Sequence, residues 1–491
     1  MLRNKEDSNK YYQYILSIPF LILIVYIFIQ NINYYYDDSY ISLRYAKHFI
    51  EGNGLVWNIG ERIQGYTNFL HILLISFFNF IFNNLIQTNI FINLIYYLIL
   101  FLLLINNKYL KENLKIFNYL NNLIILSSAP IIVWTVGGLE TILFTIFILL
   151  SFLEYNNSRE LKIKLLLISI YLNLAFLTRP DAFIFIVIFF IYIAINHRKN
   201  IIYFLIPFLI SIIYLNWCYN FYGSFLPNTY YAKSYQIGYF KQIYGLKYIF
   251  WFLSKPYFFL LIYLLFKLYL KDFKLELIDS IIIFYSLYIV YVGGDHMVSF
   301  RFFVPIIPFL SIKIFQYIKS KNIKFTLVYF VAITLGVSQL FFSSLIPNKF
   351  DKISEYGKLA AEYINSNFPK QSTIAINTAG SIPYFADDYK YIDMLGLNDT
   401  TISKRKISKP IAELQHITGH SKGDGKYILT RKPDYIILGS GLGTKDSALF
   451  LSDYELLNSS IFRDNYIYIV DTILIKRNQF EIIRFYKRIK N

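Results

Sequence analysis

One cysteine, Cys218, stands among 491 residues, so no disulfide can close within the chain. No Walker loop and no GxGxxG fingerprint occurs, which argues against nucleotide hydrolysis. No GxSxG elbow occurs either, which argues against serine-hydrolase chemistry. A single cysteine also forbids a CxxC zinc site. Tandem repeats and low-complexity linkers are missing, and the notable charges collect at the ends of apolar runs rather than in their middles. A transporter or lipid-glycan flippase would show repeats and mid-membrane charges, so that rival class is disfavoured. A non-catalytic membrane scaffold is the second rival. Acids are scarce as well, 31 against 48 Lys and Arg, for a net charge of +17. In so apolar a chain this surplus reads as basic loops facing anionic lipid, not as a nucleic-acid surface.

Apolar residues make up 56% of the chain and aromatics 20%, with 46 Tyr and 47 Phe. Mean hydropathy is +0.43. Soluble domains hold roughly 45–50% apolar residues, so the expectation is a polytopic α-helical membrane protein. Spanning helices need about 20 apolar residues. Runs near 12–33, 88–106, 117–135, 139–155, 163–178, 182–197, 200–217, 246–266, 276–292, 302–318 and 325–345 are candidates. The first ends without an A-x-A-like exit and reads as a retained anchor. Basic clusters at Arg3/Lys5/Lys10, Lys108/Lys111/Lys115, Arg159/Lys162/Lys164, Arg198/Lys199, Lys267/Lys271/Lys274 and Lys319/Lys321/Lys324 mark the cytoplasmic side. Their parity makes run 66–85 a segment that dips in or lies at the interface. The expectation is about eleven crossings, with the N-terminus cytoplasmic and the C-terminus outside.

That leaves two domains, a transmembrane part over 1–346 with a first outer loop at 34–66, and a soluble part over 347–491. In the second, DKISEYGKLAAEYINSNF reads as an amphipathic helix. STIAIN, KYIDML, DYIILG and IYIVDTILI read as strands, which suggests a small α/β layer domain on the outer surface.

The same parity puts every chemically unusual loop outside. The first, YDDSYISLRYAKHFIEGNGLVWNIGERIQGYTN, opens with Asp37 and Asp38. Neighbouring helical positions point about 100° apart, so the two acids divide their work. One could take a proton from an acceptor hydroxyl while the other caps the helix or holds a cation. Trp57, Asn58, Glu61, Tyr66 and Asn68 add the aromatic face and hydrogen-bonding groups that sugars need. Glu140 follows Gly137-Gly138 at a helix start, where an acid is favoured by the helix dipole alone. Arg179-Pro180-Asp181 puts a charged pair beside hydrocarbon, which is costly unless paired or functional. YGSFLPNTYYAK supplies Lys233, and GGDHMVSFRFFVP supplies Asp295, His296 and Arg301. The planar guanidinium suits phosphate, so Arg44, Arg179 and Arg301 together would make a phosphate site.

Taken in order, these segments resemble a family of bacterial GT-C glycosyltransferases that includes an arabinofuranosyltransferase. The resemblance rests on DDSYISLRYAKHFIEGNGLVWNIGERIQGYTNFL, GGLETILF, LTRPDA, YGSFLPNTYYAK, GGDHMVSFRFFVP, GSIPYFADDYKYIDMLGLND and KGDGKYILTRKPDYI. It implies a GT-C membrane fold in the bacterial inner membrane and a polyprenyl-phosphate-linked sugar donor. It also implies a glycan or glycolipid acceptor, and chemistry on the outer face with inversion at the anomeric carbon. The family's catalytic acid carries over to Asp37 or Asp38. Its NPGE and VEGYT stretches become Asn58-Ile59-Gly60-Glu61 and Ile63-Gln64-Gly65-Tyr66-Thr67, and its Trp after GGD is His296. No cofactor is assigned, and a divalent cation stays open because the adjacent acids are not a DxD pattern.

Overall fold

The computed structural model describes residues 2–114, 117–234, 240–255, 259–347, 350–407, 411, 415, 417, 419–445, 447–476 and 479–489. Most of them are helical, and a small sheet is built from the last third of the chain.

Four helical stretches are long and apolar enough to cross a membrane: Leu85–Asn106, Leu161–Thr178, Arg198–Tyr222 and Arg301–Ser320. Phe117–Leu126 and Ala129–Val136, bent by 46°, make a fifth if the pair is one span. Eleven crossings were expected, so the count by length and composition is four or five among the described residues. The difference has a physical cause. A hydropathy window does not register where hydrogen bonding breaks. Thr141–Tyr155, Ala182–Asn196, Phe259–Tyr269, Leu277–Val292 and Phe325–Phe341 are apolar helices of 10–17 residues. At 1.5 Å per residue these reach roughly 15–25 Å, short of a hydrocarbon layer about 30 Å thick. The run over 66–85 forms the short helices Phe69–Phe78 and Asn79–Ile81, closed by a left-handed turn at Asn83, and is likewise too short to span.

The chain divides into two compact units that do not follow its order. The first takes residues 1–34, 90–211 and 242–349. It is a helical body whose centre is the almost wholly buried Arg301–Ser320 stretch. The Ile307–Ser320 part packs on Phe117–Leu126 and Phe259–Tyr269, while Thr141–Tyr155 packs along Leu161–Thr178. A charged network ties the basic end of this body. Lys313 lies 2.7 Å from Glu276 and 3.4 Å from Asp279, and Tyr263 donates to Asp279 at 2.7 Å.

The second unit takes residues 35–89, 212–241 and 350–491. Its last segment starts close to the boundary expected after residue 346, but that segment folds together with the first polar loop. The helix Lys352–Asn367 appears where the amphipathic pattern puts it, capped by the Asp351 carboxylate on the Ser354 amide. The strands are β1 (Thr373–Ile376), β2 (Lys390–Asp393), β3 (Tyr435–Ile436), β4 (Tyr466–Lys476) and β5 (Gln479–Arg488). They form one sheet in the order β2-β1-β3-β5-β4. The first three neighbours are parallel, and β5 pairs antiparallel with both β3 and β4. Ala375, Ile392, Ile436, Ile428 and Phe462 are buried between sheet and helices, giving the α/β layer core. Sequence patterning located all but β5.

Candidate functional site

Each unit holds one dense polar centre. In the second unit it forms where the helix Asp37–Ile50 meets the loop after β1. The helix begins at Asp37 with Tyr36 in the cap position, so both acids sit in the first turn and neither is the cap. The main-chain N–H of Asp37 donates to Asp351 Oδ2 at 3.0 Å. Its carboxylate accepts from the main-chain N–H of Ser381 at 2.9 Å and from the Ser381 hydroxyl. Gly380 makes the approach possible: a Cβ there would lie 2.0 Å from the Asp37 carbonyl oxygen. Burial pushes the Asp37 carboxyl up to about 7; the Ser381 hydrogen bonds oppose the rise, and the charges of Asp38 and Asp351 add to it. Asp351 is likewise raised by burial. Asp38 is half-buried and makes no hydrogen bond or ion pair with the described residues. Thus Asp37 is held within the unit, and Asp38 keeps its carboxylate free for another partner.

Arg44, two turns along, is 2% exposed. Its Nε donates to the Trp57 carbonyl at 2.7 Å, and Nη1 donates to the Pro383 carbonyl and to Asp387. The guanidinium also lies over the rings of Trp57 and Tyr391. Its expected role as a phosphate ligand therefore meets a side chain enclosed by its own unit. Lys47 and His48 reach the same Asp387. Burial would raise this carboxyl, but the His48 hydrogen bond and the Arg44 and Lys47 cations hold it well below the usual range. Trp57 is enclosed as well, which removes its face from any sugar. Tyr66 and Asn68 are buried: the Tyr66 hydroxyl meets that of Tyr222 at 3.1 Å, and Asn68 donates to Ser42 at 2.9 Å. Lys233 is exposed on the short helix Asn228–Ser234. Asp424 caps the helix Gly425–Thr430, accepting from the Tyr427 amide at 2.9 Å.

Among the described residues, one group has the closeness that a metal ion requires: His48, Glu51 and Asp387. Two cationic side chains already sit on Asp387, and that charge opposes a bound cation. The donor set does not fit a divalent ion.

The first unit gathers Glu140, Arg179, Asp181, Asp295 and Arg301, five of the expected site residues. Arg179 Nε donates to Asp181 at 2.9 Å and 3.3 Å, Nη2 donates to the same carboxylate at 3.1 Å, and Nη1 donates to Glu140 at 3.2 Å. The Tyr285 hydroxyl donates to Asp181 at 2.9 Å. Every nitrogen of Arg179 is thus directed at an acid. Arg301 differs. Its Nε donates to Asp295 at 2.8 Å, while Nη1 and Nη2 donate to no described residue, although the side chain is 10% exposed. The two guanidinium groups share the Phe302 ring, at 5.3 Å and 5.4 Å from its centroid. His296 is exposed, with Nδ1 3.6 Å from Asp295.

Asp351, Ser381, Asp387 and Tyr285 complete these centres and were not singled out in the sequence. Gly380-Ser381 and Asp387 lie inside one quoted motif, and Asp351 opens the quoted amphipathic helix, but no local pattern gives them these partners. Tyr285 is one of 46 tyrosines and carried none.

A family described as Domain of unknown function (DUF8728) matches residues 351–483. The matched stretch runs from the Asp351 cap through β1 to β4 and into β5. No curated protein and no solved structure matches the chain.

Proposed function

We propose that the chain is a membrane glycosyltransferase of the GT-C class. It moves a sugar from a polyprenyl-phosphate donor to a hydroxyl of an envelope glycan or glycolipid, on the outer face of a bacterial inner membrane. The observation that carries the reading is Arg301: a mostly buried guanidinium held by one carboxylate, with both terminal nitrogens open to an oxyanion. A planar fork in that state suits the two oxygens of a phosphate ester. Arg179, enclosed by Glu140 and Asp181, shares the Phe302 ring with it and adds no open donor.

Asp38 is the base in this reading, because a base needs reach to the proton it takes and Asp37 is already held by Ser381. The acceptor oxygen forms its bond to the anomeric carbon as Asp38 takes the hydroxyl proton. The bond from that carbon to the phosphate oxygen breaks, and its electron pair leaves with the lipid phosphate beside Arg301. Attack opposite the leaving group inverts the anomeric centre. Apolar helices long enough to span would hold the lipid tail in the bilayer. Each role has its own variant, Asp38 as base and Arg301 as phosphate ligand. Membranes holding Asp38→Asn or Arg301→Met should lose transfer from a radiolabelled polyprenyl-phosphate sugar that the parent protein uses. Undiminished transfer by either variant removes that residue from the mechanism.

A further inference from the structure

The helix Phe240–Leu253 carries a side chain that the mechanism above leaves unused. Tyr248 is 4% exposed, and its hydroxyl has no hydrogen-bond partner among the described residues. The Phe302 amide approaches it without reaching hydrogen-bond geometry. Its charged neighbours are Asp295, Arg301 and Arg179, the groups of the guanidinium centre. The placement is fixed by packing. A Cβ on Gly245, one turn earlier, would lie 2.3 Å from the Val290 carbonyl oxygen, so the helix backbone seats directly on Leu277–Val292. A Cβ on Gly294 would lie 2.6 Å from Tyr248 Cβ. The tyrosine ring is stacked at 5.7 Å on Phe303 and lies 5.4 Å from Phe300. The ring therefore cannot swing its hydroxyl out to water.

A buried, unpaired hydroxyl is unfavourable in the folded chain unless something completes it. We infer that the Tyr248 hydroxyl is a ligand contact of the Arg301 centre, donating to the same oxyanion that the open nitrogens of Arg301 receive. Two donor types on one anion, the fork of a guanidinium and a fixed phenol, suit the tetrahedral phosphate of the donor diester and of the lipid phosphate that leaves. The inference rests on the phosphate reading of Arg301, and its test separates the two.

Full-length protein purified in detergent is titrated with farnesyl phosphate, with inorganic phosphate and farnesol as controls, in parent and Tyr248→Phe forms. Binding of farnesyl phosphate should weaken on the order of tenfold in Y248F, as for a lost hydrogen bond to a charged group. The unliganded thermal midpoint of Y248F should be no lower than that of the parent, because the hydroxyl bonds to nothing in the fold. Equal affinity in the two proteins overturns the inference and leaves Arg301 standing. A lower unliganded midpoint also overturns it, since the hydroxyl then serves the fold. Parent protein that binds neither phosphate overturns both this inference and the phosphate reading. Binding of inorganic phosphate alone, weakened in Y248F, keeps the tyrosine and removes the lipid-linked donor.

Discussion

Replacing Asp37 with Asn should change how stability depends on pH. The folded protein raises this carboxyl from 3.8 to about 7, chiefly through burial. Between those values the folded state binds more protons at this site than the unfolded chain does. Stability therefore falls as pH rises through the window, and the loss is complete above about pH 7. Each pH unit is worth about 1.4 kcal/mol, so the ionised Asp37 costs about 4 kcal/mol at pH 8, as an order of magnitude. Asparagine keeps a carbonyl oxygen for the two Ser381 donors and carries no charge. D37N should thus match the parent protein near pH 4 and exceed it by up to about 4 kcal/mol at pH 8. Unfolding of the detergent-purified proteins, followed from pH 4 to pH 8, measures the difference. Asp351 is also raised by burial and its charge adds to the Asp37 shift, so the difference reports the Asp37 charge together with its coupling to Asp351. Parallel pH profiles would refute the argument, because they would mean that the acid is no harder to ionise in the fold than in the open chain.

Other substitutions separate fold from chemistry. Asp38→Asn should lower transfer by about 10²–10⁴-fold, the usual worth of a general base. It should move stability by less than about 0.5 kcal/mol, because the side chain bonds to no described residue; a large loss of stability would make Asp38 structural. Arg44→Met should destabilise the protein by about 3–5 kcal/mol, since it strips Asp387 of its closest buried partner; a normal melting temperature with weakened phosphate binding would instead restore Arg44 as a ligand. Gly380→Ala forces a carbon to within 2.0 Å of the Asp37 backbone. It should destabilise by at least about 1–3 kcal/mol, and wild-type stability would contradict the described contact.

The parts of the fold that sequence made legible are those with a local cause. The helix Lys352–Asn367 has an amphipathic repeat and an acid at its cap, and both are visible in a dozen residues. β1, β2 and β4 are runs rich in β-branched and aromatic residues. β5 escaped because QFEIIRFYKR carries Glu481, Arg484, Lys487 and Arg488 on both alternations, which blurs the period of two. The helix count was too high because several apolar runs, such as Thr141–Tyr155 and Ala182–Asn196, fold as helices shorter than a hydrocarbon layer.

The candidate centres divide in the same way. Arg179 beside Asp181 is a two-residue pairing, and the cost of charge near hydrocarbon pointed to it directly. The bond between Asp37 and Ser381 joins residues 344 apart, and no local pattern can announce it. Arg44 shows the consequence. Its sequence neighbourhood suggests an exposed phosphate ligand, whereas Asp387 and the Pro383 carbonyl, supplied from far along the chain, enclose it. Asp37 and Asp38 look equivalent in sequence and differ in structure only through partners of that distant kind.

Sugar transfer by the purified, detergent-reconstituted protein tests the central claim most directly. With a panel of polyprenyl-phosphate sugars and glycan or glycolipid acceptors, the parent protein should form a glycosidic product of inverted configuration from at least one donor. That product should vanish in Asp38→Asn and in Arg301→Met. Folded parent protein that transfers from none of the donors, or product formation that persists in both variants, would contradict the account.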